Sequence, residues 1–296
     1  MTLPALQALA CPNCTRPLAQ TDRRLHCPAG HSFDLAKHGY APLLAPGSNA
    51  TTGDTADQVE ARDTFLDTGH YDPLLEAVAA AAATDRPGAV VEPGCGTGHY
   101  LARTLQEAPD REGIGLDTSK YALRRAARRS PRLTAVLADA WTRLPVRDGA
   151  AAAVLNVFAP RNPAELARIL RPGGTLTVLT PRPDHLRELV DALGLLQIDP
   201  HKTRRTAGPL EAAFTTEHTE DLTYRIRLTR ADALHLAAMG PSARHHDPDD
   251  LTAAVDRLPE PVETTVAATV TRWRRRDQTT GPADPIAPPP GDGHSP

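Results

Sequence analysis

Three thiols and an imidazole stand in two short runs, Cys11-Pro12-Asn13-Cys14 and Cys27-Pro28-Ala29-Gly30-His31. These are the donors Zn2+ prefers, and four of them close a tetrahedral structural site with no position left for a substrate. Gly30 permits the tight turn of the second run. Buried cysteines without a metal are the plain alternative, but two knuckles at this separation point to an ion; His26 is a competing imidazole at a poorer spacing. A second constellation is Glu92-Pro93-Gly94-Cys95-Gly96-Thr97-Gly98, followed by Gly115-Leu116-Asp117. Its glycines let the backbone pass close beneath a nucleoside cofactor, although a dinucleotide could use the same loop.

The elements that must position these groups follow from periodicity. Helical patterns run over 55–69 and from Asp72 to Thr84, with Asp72 as N-cap. Short apolar runs at 89–91, 113–116, 134–137, 151–156 and 175–179 read as strands. Helices at 100–107, 120–129, 163–170 and 185–193 alternate with them. That alternation predicts an α/β, doubly wound sheet with right-handed crossovers. Segments 223–228 and 264–273 alternate apolar and polar residues and read as a closing antiparallel pair. The organisation expected is a zinc-binding module at 1–43, linker and helix at 44–75, a cofactor domain at 76–276 and a disordered Pro/Gly-rich tail at 277–296.

Within that frame Glu92 ends the first strand, by the methionine end of a cofactor. Asp117 ends the second, where its carboxylate can take both ribose hydroxyls, and Asp139 follows the third, near an adenine amine. With Gly94, Gly96, Gly98 and the backbone of Cys95, these acids favour S-adenosylmethionine over NAD. The fourth strand ends in Asn156-Val157-Phe158-Ala159-Pro160, on the strand edge that faces substrate. Asn156 is the candidate catalytic residue, able to orient a base edge, and Phe158 can stack on a base. The alternative makes Phe158 core and Asn156 a turn cap.

Bulk numbers constrain the partners. The chain has 296 residues, net charge −3 and 33 Lys+Arg, of which 30 are arginine, so any nucleic-acid footprint must be local. Candidate patches are Arg124, Arg125, Arg128, Arg129 and Arg132; Arg272, Arg274, Arg275 and Arg276; and Arg16, Arg23, Arg24, Lys37 and His38 in the module. Each is a phosphate contact or an ordinary solvated face. No apolar run is long enough to span a membrane, and no signal-peptide pattern is evident, which predicts a cytoplasmic protein without disulfides.

Longer motifs join the two constellations. His31-Ser-Phe-Asp34-x-Ala36-Lys37-x-Gly39-Tyr40, Gly53-Asp54-Thr55, Ala61-Arg62 and Phe65-Leu66-Asp67-x-Gly69-His70-Tyr71-x-Pro73-Leu74 precede the glycine loop. Asn156 to Pro163, Leu170-Arg171-Pro172-Gly173-Gly174 and Thr180-Pro181-x-x-Asp184-His185-Leu186-x-Glu188-Leu189 follow it. From about Leu9 to about Trp273 the chain resembles the 23S rRNA guanine-N1 methyltransferases, in particular their tylosin-resistance branch. It departs in having Glu92 rather than Asp, with Pro93 after it, and in its tail. The resemblance implies a Rossmann-like class I SAM-dependent methyltransferase with a small N-terminal zinc-binding module. It also implies cofactor contacts at Tyr71, Cys95, Gly96 and His185, and a homodimer with a cleft for RNA. The implied activity is methylation of guanine N1 in the loop of hairpin 35 of 23S rRNA, giving macrolide resistance. Asp34, Asp54, Asp67 and His70 are open candidates for the proton acceptor. A small-molecule methyltransferase and a non-catalytic RNA-binding factor are the competing classes; neither accounts for both the zinc module and the intact Glu92, Gly94, Gly96 and Asp117.

Overall fold

A computed structural model describes residues 3–48, 53–195, 210–240 and 246–276. The expected tail at 277–296 lies outside the described residues, as do 49–52 of the linker. Among the described residues, no helix is long and apolar enough to cross a membrane.

The N-terminal residues form a small antiparallel sheet, β1 (Ala19–Thr21), β2 (Arg24–His26) and β3 (Ser32–Asp34), in that order. The large sheet is built from β4 (Ala41–Pro42), β5 (Ala89–Pro93), β6 (Gly113–Asp117), β7 (Leu133–Leu137), β8 (Ala151–Val157), β9 (Leu170–Pro181), β10 (Phe214–Leu228) and β11 (Val262–Arg275). Its order is β10-β11-β9-β8-β5-β6-β7-β4, with β4 to β9 parallel and β10 and β11 antiparallel. The order reverses between β5 and β8. That is the topological switch point, where loops leaving the strands' carboxyl ends open a crevice for a ligand.

The helices are α1 (Ala56–Asp67), α2 (Asp72–Ala81), α3 (His99–Glu107), α4 (Lys120–Arg129), α5 (Pro163–Ile169), α6 (Arg187–Leu193), α7 (Arg230–Ala238) and α8 (Pro248–Asp256). Thr55 and Gln58 close a capping box at the start of α1, and Ser119 caps α4 by accepting from the Ala122 amide. Tyr71, not Asp72, occupies the N-cap of α2; Asp72 is the first helical residue, where its charge still suits the helix dipole. The expected closing pair is far longer than the alternating stretches that signalled it, because its outer strand is solvated and its polar residues mask the pattern. β4 was not anticipated: Ala41 and Pro42 pair in parallel with Val136 and Leu137, so the large sheet's outermost strand comes from the N-terminal segment. The expected module boundary at residue 43 falls one residue after it.

Two cores lie on the faces of the sheet. One packs α1–α4 and α6–α8 residues such as Phe65, Leu74, Leu101 and Leu123. The other joins Leu9, Leu25 and Leu43 to Val91, Ile114, Leu116 and Leu176. The N-terminal segment therefore shares a hydrophobic core with the large sheet.

The arginines of α4 divide by face. Arg125 (2.5 Å) and Arg129 both pair with Asp63 of α1, and Arg129 also reaches Asp67 at 2.8 Å. Arg132 donates to the carbonyls of Ala108, Pro109, Arg111 and Leu105, tying a loop rather than facing an outside ligand. The C-terminal arginines are internal braces too. Arg272 and Arg274 pair with Glu217, and Arg274, Arg275 and Arg276 reach carbonyls of Gly173, Leu170 and Phe214. The expectation that they form a phosphate-binding patch is not supported by these engagements. Asp63→Ala should leave two guanidinium groups without their buried counter-charge and cost about 2–4 kcal/mol. Urea unfolding checks it, and a loss below about 0.5 kcal/mol would show that the pairs carry no net stability.

Candidate functional site

Cys11, Cys14, Cys27 and His31 converge, with all four donor atoms within 4.8 Å of one another. Cys11 Sγ lies 3.6 Å and Cys27 Sγ 3.4 Å from His31 Nδ1; Cys14 Sγ lies 3.6 Å from Cys27 Sγ. A tetrahedral zinc with bonds of about 2.3 Å to sulfur and about 2.0–2.1 Å to nitrogen sets its ligands roughly 3.5–3.8 Å apart. The three separations fit the edges of such a site. Its thiols are free, and a sulfur separation of 3.6 Å excludes a disulfide. His26, on β2, is outside the cluster.

At the switch point the glycine loop is pinned to β6: the Gly94 (2.7 Å) and Cys95 (3.0 Å) amides donate to Leu116 O. Gly94, Gly96 and Gly98 all have positive φ, of 75°, 52° and 82°. A Cβ on Gly98 would stand 3.1 Å from Ala126, so its lack of one lets α3 approach α4. Cys95 is buried, its thiol against Gly115, which makes it a packing residue whose backbone faces the loop.

Asp117 accepts hydrogen bonds from the Gly96 (2.9 Å) and Ser119 (2.8 Å) amides. Burial raises its pKa and the two amides oppose the rise. Each oxygen keeps a lone pair, as a carboxylate taking ribose hydroxyls requires. Glu92 is buried, and its Oε2 has no hydrogen-bond partner. Burial, with Asp117 adding its charge, pushes the Glu92 carboxyl well above its usual range. An orphaned buried oxygen beside a glycine loop fits a ligand that brings its own donors. Asp139 is half-buried, accepts from the Trp141 amide at 2.9 Å, and sits beside an indole that is 65% exposed.

Tyr71 and His185 meet across the crevice, Tyr71 Oη lying 3.2 Å from His185 Nε2. The Ala267 amide donates to His185 Nδ1 at 3.2 Å. In the neutral ring the hydrogen therefore sits on Nε2 and is donated to Tyr71, whose own hydrogen remains for a further acceptor. Burial holds His185 down at about 4. His185 lies in a turn ahead of α6, not inside the expected helix, because Leu186 adopts φ 56°.

Phe158 has φ 48°, a conformation rare for a bulky residue, and its ring is 42% exposed, with its centroid 5.8 Å from that of His185. Asn156, the candidate catalytic residue, is fully buried; it donates to Pro160 O (3.0 Å) and accepts from Arg161 Nε (2.8 Å). Its amide is engaged by the Phe158 loop, the turn-capping role that was the alternative for this residue. The candidate proton acceptors are engaged as well. Asp34 pairs with Arg24, Asp54 with Arg62, Asp67 with Arg129 and His99, and His70 lies 3.6 Å from Asp232.

Sequence reasoning missed roles for Arg62 and Ser119. Arg62 reaches Asp54 and Met239 O (2.9 Å) beside Gly96, while Ser119 Oγ donates to Asp54 O at 2.7 Å, folding the 53–55 segment over the loop. Ser119, just ahead of a helix, carried an N-cap signal; Arg62 carried none. A separate surface cleft of about 530 Å³ lies at the amino ends of the strands among Ala8, Glu112, Arg147 and Arg171. It holds none of this chemistry.

Residues 9–47 match the zinc-ribbon family described as RlmA, N-terminal, and residues 90–174 match a methyltransferase domain. The chain is 51% identical over 270 residues to the 23S rRNA (guanine(748)-N(1))-methyltransferase of Streptomyces fradiae, covering 90% of this chain and 96% of that one. A Micromonospora griseorubida protein, provisionally named a 23S rRNA (guanine-N(1)-)-methyltransferase, is 48% identical over 91% of this chain and 98% of its own. One from Bacillus subtilis with the same provisional name is 30% identical over 79% and 86%. The fold is that of a Rossmann-like class I methyltransferase with an N-terminal zinc module; its cofactors are S-adenosylmethionine and structural zinc.

Elemental analysis should find one zinc per chain. Cys14→Ala should lose it and, because the module shares the sheet's core, lower the melting temperature of the whole chain by several degrees, at about 2–4 °C per kcal/mol. An unchanged melt would show the module to be thermally independent. For His185, the folded state resists a proton that the unfolded ring takes near its ordinary 6.5. Its contribution to stability is thus full above about pH 6.5, falls as pH drops, and is gone by about pH 4. NMR titration should show a neutral His185 ring at pH 6; an imidazolium there would refute this.

Proposed function

Because this chain belongs to the family of 23S rRNA guanine-N1 methyltransferases, we propose that it methylates N1 of one guanine in the hairpin-35 loop of 23S rRNA, at the position its Streptomyces fradiae relative is named for, and that this methyl confers resistance to tylosin-like macrolides. The observation that carries this reading is the joining of a four-ligand zinc cage to a methyltransferase crevice through one shared core. Small-molecule chemistry has no need of that module. The organisation we infer is a module at 1–43, linker and helix at 44–75, and a catalytic domain at 76–276, acting in the cytoplasm as a homodimer.

S-adenosylmethionine supplies, when bound, a methyl group already activated on sulfur. In our assignment Gly94, Cys95, Gly96 and Gly98 line its path with backbone. Asp117 takes the ribose, Asp139 the adenine side, and Glu92 the ammonium. The hydroxyl hydrogen of Tyr71, oriented by His185, goes to the carboxylate. The protein's task is then alignment, since holding donor and acceptor in line supplies much of the rate. Guanine N1 is paired in a duplex, so the base must be unstacked to react. Phe158 stands exposed beside His185 and serves as its platform, with Asn156 and Arg161 fixing the loop that strains it into place. With Asp34, Asp54, Asp67 and His70 each engaged by another group, the proton of guanine N1 would pass to solvent.

N1 methylation blocks Watson–Crick pairing. Primer extension on 23S rRNA from a susceptible strain expressing the chain should therefore stop at one new position in hairpin 35; no new stop from folded, cofactor-bound protein would reject the reading. Phe158→Ala should lower kcat/KM for RNA about 10–100-fold, the usual worth of one stacked base, with cofactor affinity unchanged by calorimetry. Full activity in that variant would remove Phe158 from the acceptor site.

A further inference from the structure

We propose that the row Lys120, Arg124 and Arg128 of α4, its two ends exposed and Arg124 half-buried between them, is, together with Lys37 and His38 of the zinc module, a docking site for the phosphate backbone of the substrate RNA. This rests on the rRNA reading above and adds a surface to it.

The two faces of α4 are treated differently. Arg125 and Arg129 are neutralised by Asp63 and Asp67. Lys120, Arg124 and Arg128 stand four residues apart in one row, and among the described residues no carboxylate pairs with any of them or with Lys37. Like charges at that spacing repel and weaken a helix. A row that carries this repulsion without internal counter-charge is organised for an anion from outside. Arg124 adds an orphan: its Nε is buried without a partner.

The module completes the row. Its turn at Ala36–Gly39, closed by the Gly39 amide on Ala36 O at 2.9 Å, rests on α4, where a Cβ on Gly39 would lie 3.8 Å from Ala127. Lys37 and His38 are exposed there. Desolvation, with the charges of Arg124, Arg128 and Lys37, lowers the His38 pKa, which places these cations close together. An aromatic ring lies among them: Tyr121, 36% exposed, has Lys120 Nζ 5.2 Å and Arg124 Cζ 5.4 Å from its centroid. Clustered cations around an exposed ring suit a polyanion that also carries flat bases. A polyacidic peptide offers charge but nothing to stack. The row begins one residue after Ser119, whose amide holds Asp117, so RNA lying along it runs toward the cofactor crevice.

The test is binding of a hairpin-35 transcript by fluorescence anisotropy across salt concentrations, using the full zinc-loaded chain. Each phosphate contact contributes about 0.7–0.9 to the slope of log K against log salt. Arg124→Ser/Arg128→Ser should reduce that slope by about 1.5, weaken binding at least tenfold at low salt and raise the RNA KM. Turnover at saturating RNA and cofactor affinity should hold. Arg128→Glu alone, on an exposed side chain, should act in the same direction if the double variant folds poorly. Arg143→Ser, which removes an exposed arginine elsewhere, should leave the slope unchanged. Wild-type affinity and slope in the α4 variants, an equal effect from Arg143→Ser, or equal wild-type affinity for polyglutamate would overturn the site while leaving the methylation reading standing. Absence of RNA binding and methylation by the wild-type chain would sink both.

Discussion

One carboxylate holds the crevice in register. Asp117 receives the Gly96 amide from the loop after β5 and the Ser119 amide from the start of α4, while Ser119 reaches through its hydroxyl to the carbonyl of Asp54. Two segments distant in sequence, the glycine loop and the stretch at Asp54, are thereby held to the turn between β6 and α4. Burial raises the pKa of this carboxyl, and the two amides it accepts from oppose the rise. The glycine loop, the cap of α4 and the 53–55 segment depend on this arrangement, and the Tyr71–His185 pair closes the crevice from the other side.

The zinc cage matters to the same crevice at second hand. Its four ligands organise a segment with little apolar content of its own, and that segment then contributes Leu9, Leu25 and Leu43 to the core beneath β5 and β6. Metal binding, packing of the sheet and placement of the Lys37–Gly39 turn on α4 are thus mechanically linked. A chain assembled this way presents its module and its catalytic crevice as one surface, which suits a substrate larger than the crevice.

Much of this was legible because it is local. The knuckles at Cys11 and Cys27, the glycine loop and the alternating strands and helices each declare themselves within a few residues, and α4 was bounded correctly at both ends. What escaped depends on which partners a side chain finds, which spacing alone does not state. Asn156 could be read as facing substrate or as capping a turn, and only the positions of Arg161 and Pro160 show what its amide engages. The arginine clusters at residues 124–132 and 272–276 looked alike in sequence, yet Asp63, Glu217 and backbone carbonyls engage most of their members. β4 is two residues long and carries too little pattern for any periodicity to reveal it.

That short strand has a bearing on how the protein is made. Ala41 and Pro42 leave the ribosome early, whereas Val136 and Leu137, their partners, follow only after β5, α3, β6 and α4 have been synthesised. Until then the N-terminal segment has its knuckles but not the sheet it joins, and its apolar residues wait for a surface. Early metal capture would keep that nascent segment compact during the interval. The outer edge of β7 is then covered by a strand made well before it, while the opposite side of the sheet still waits for β8 to β11.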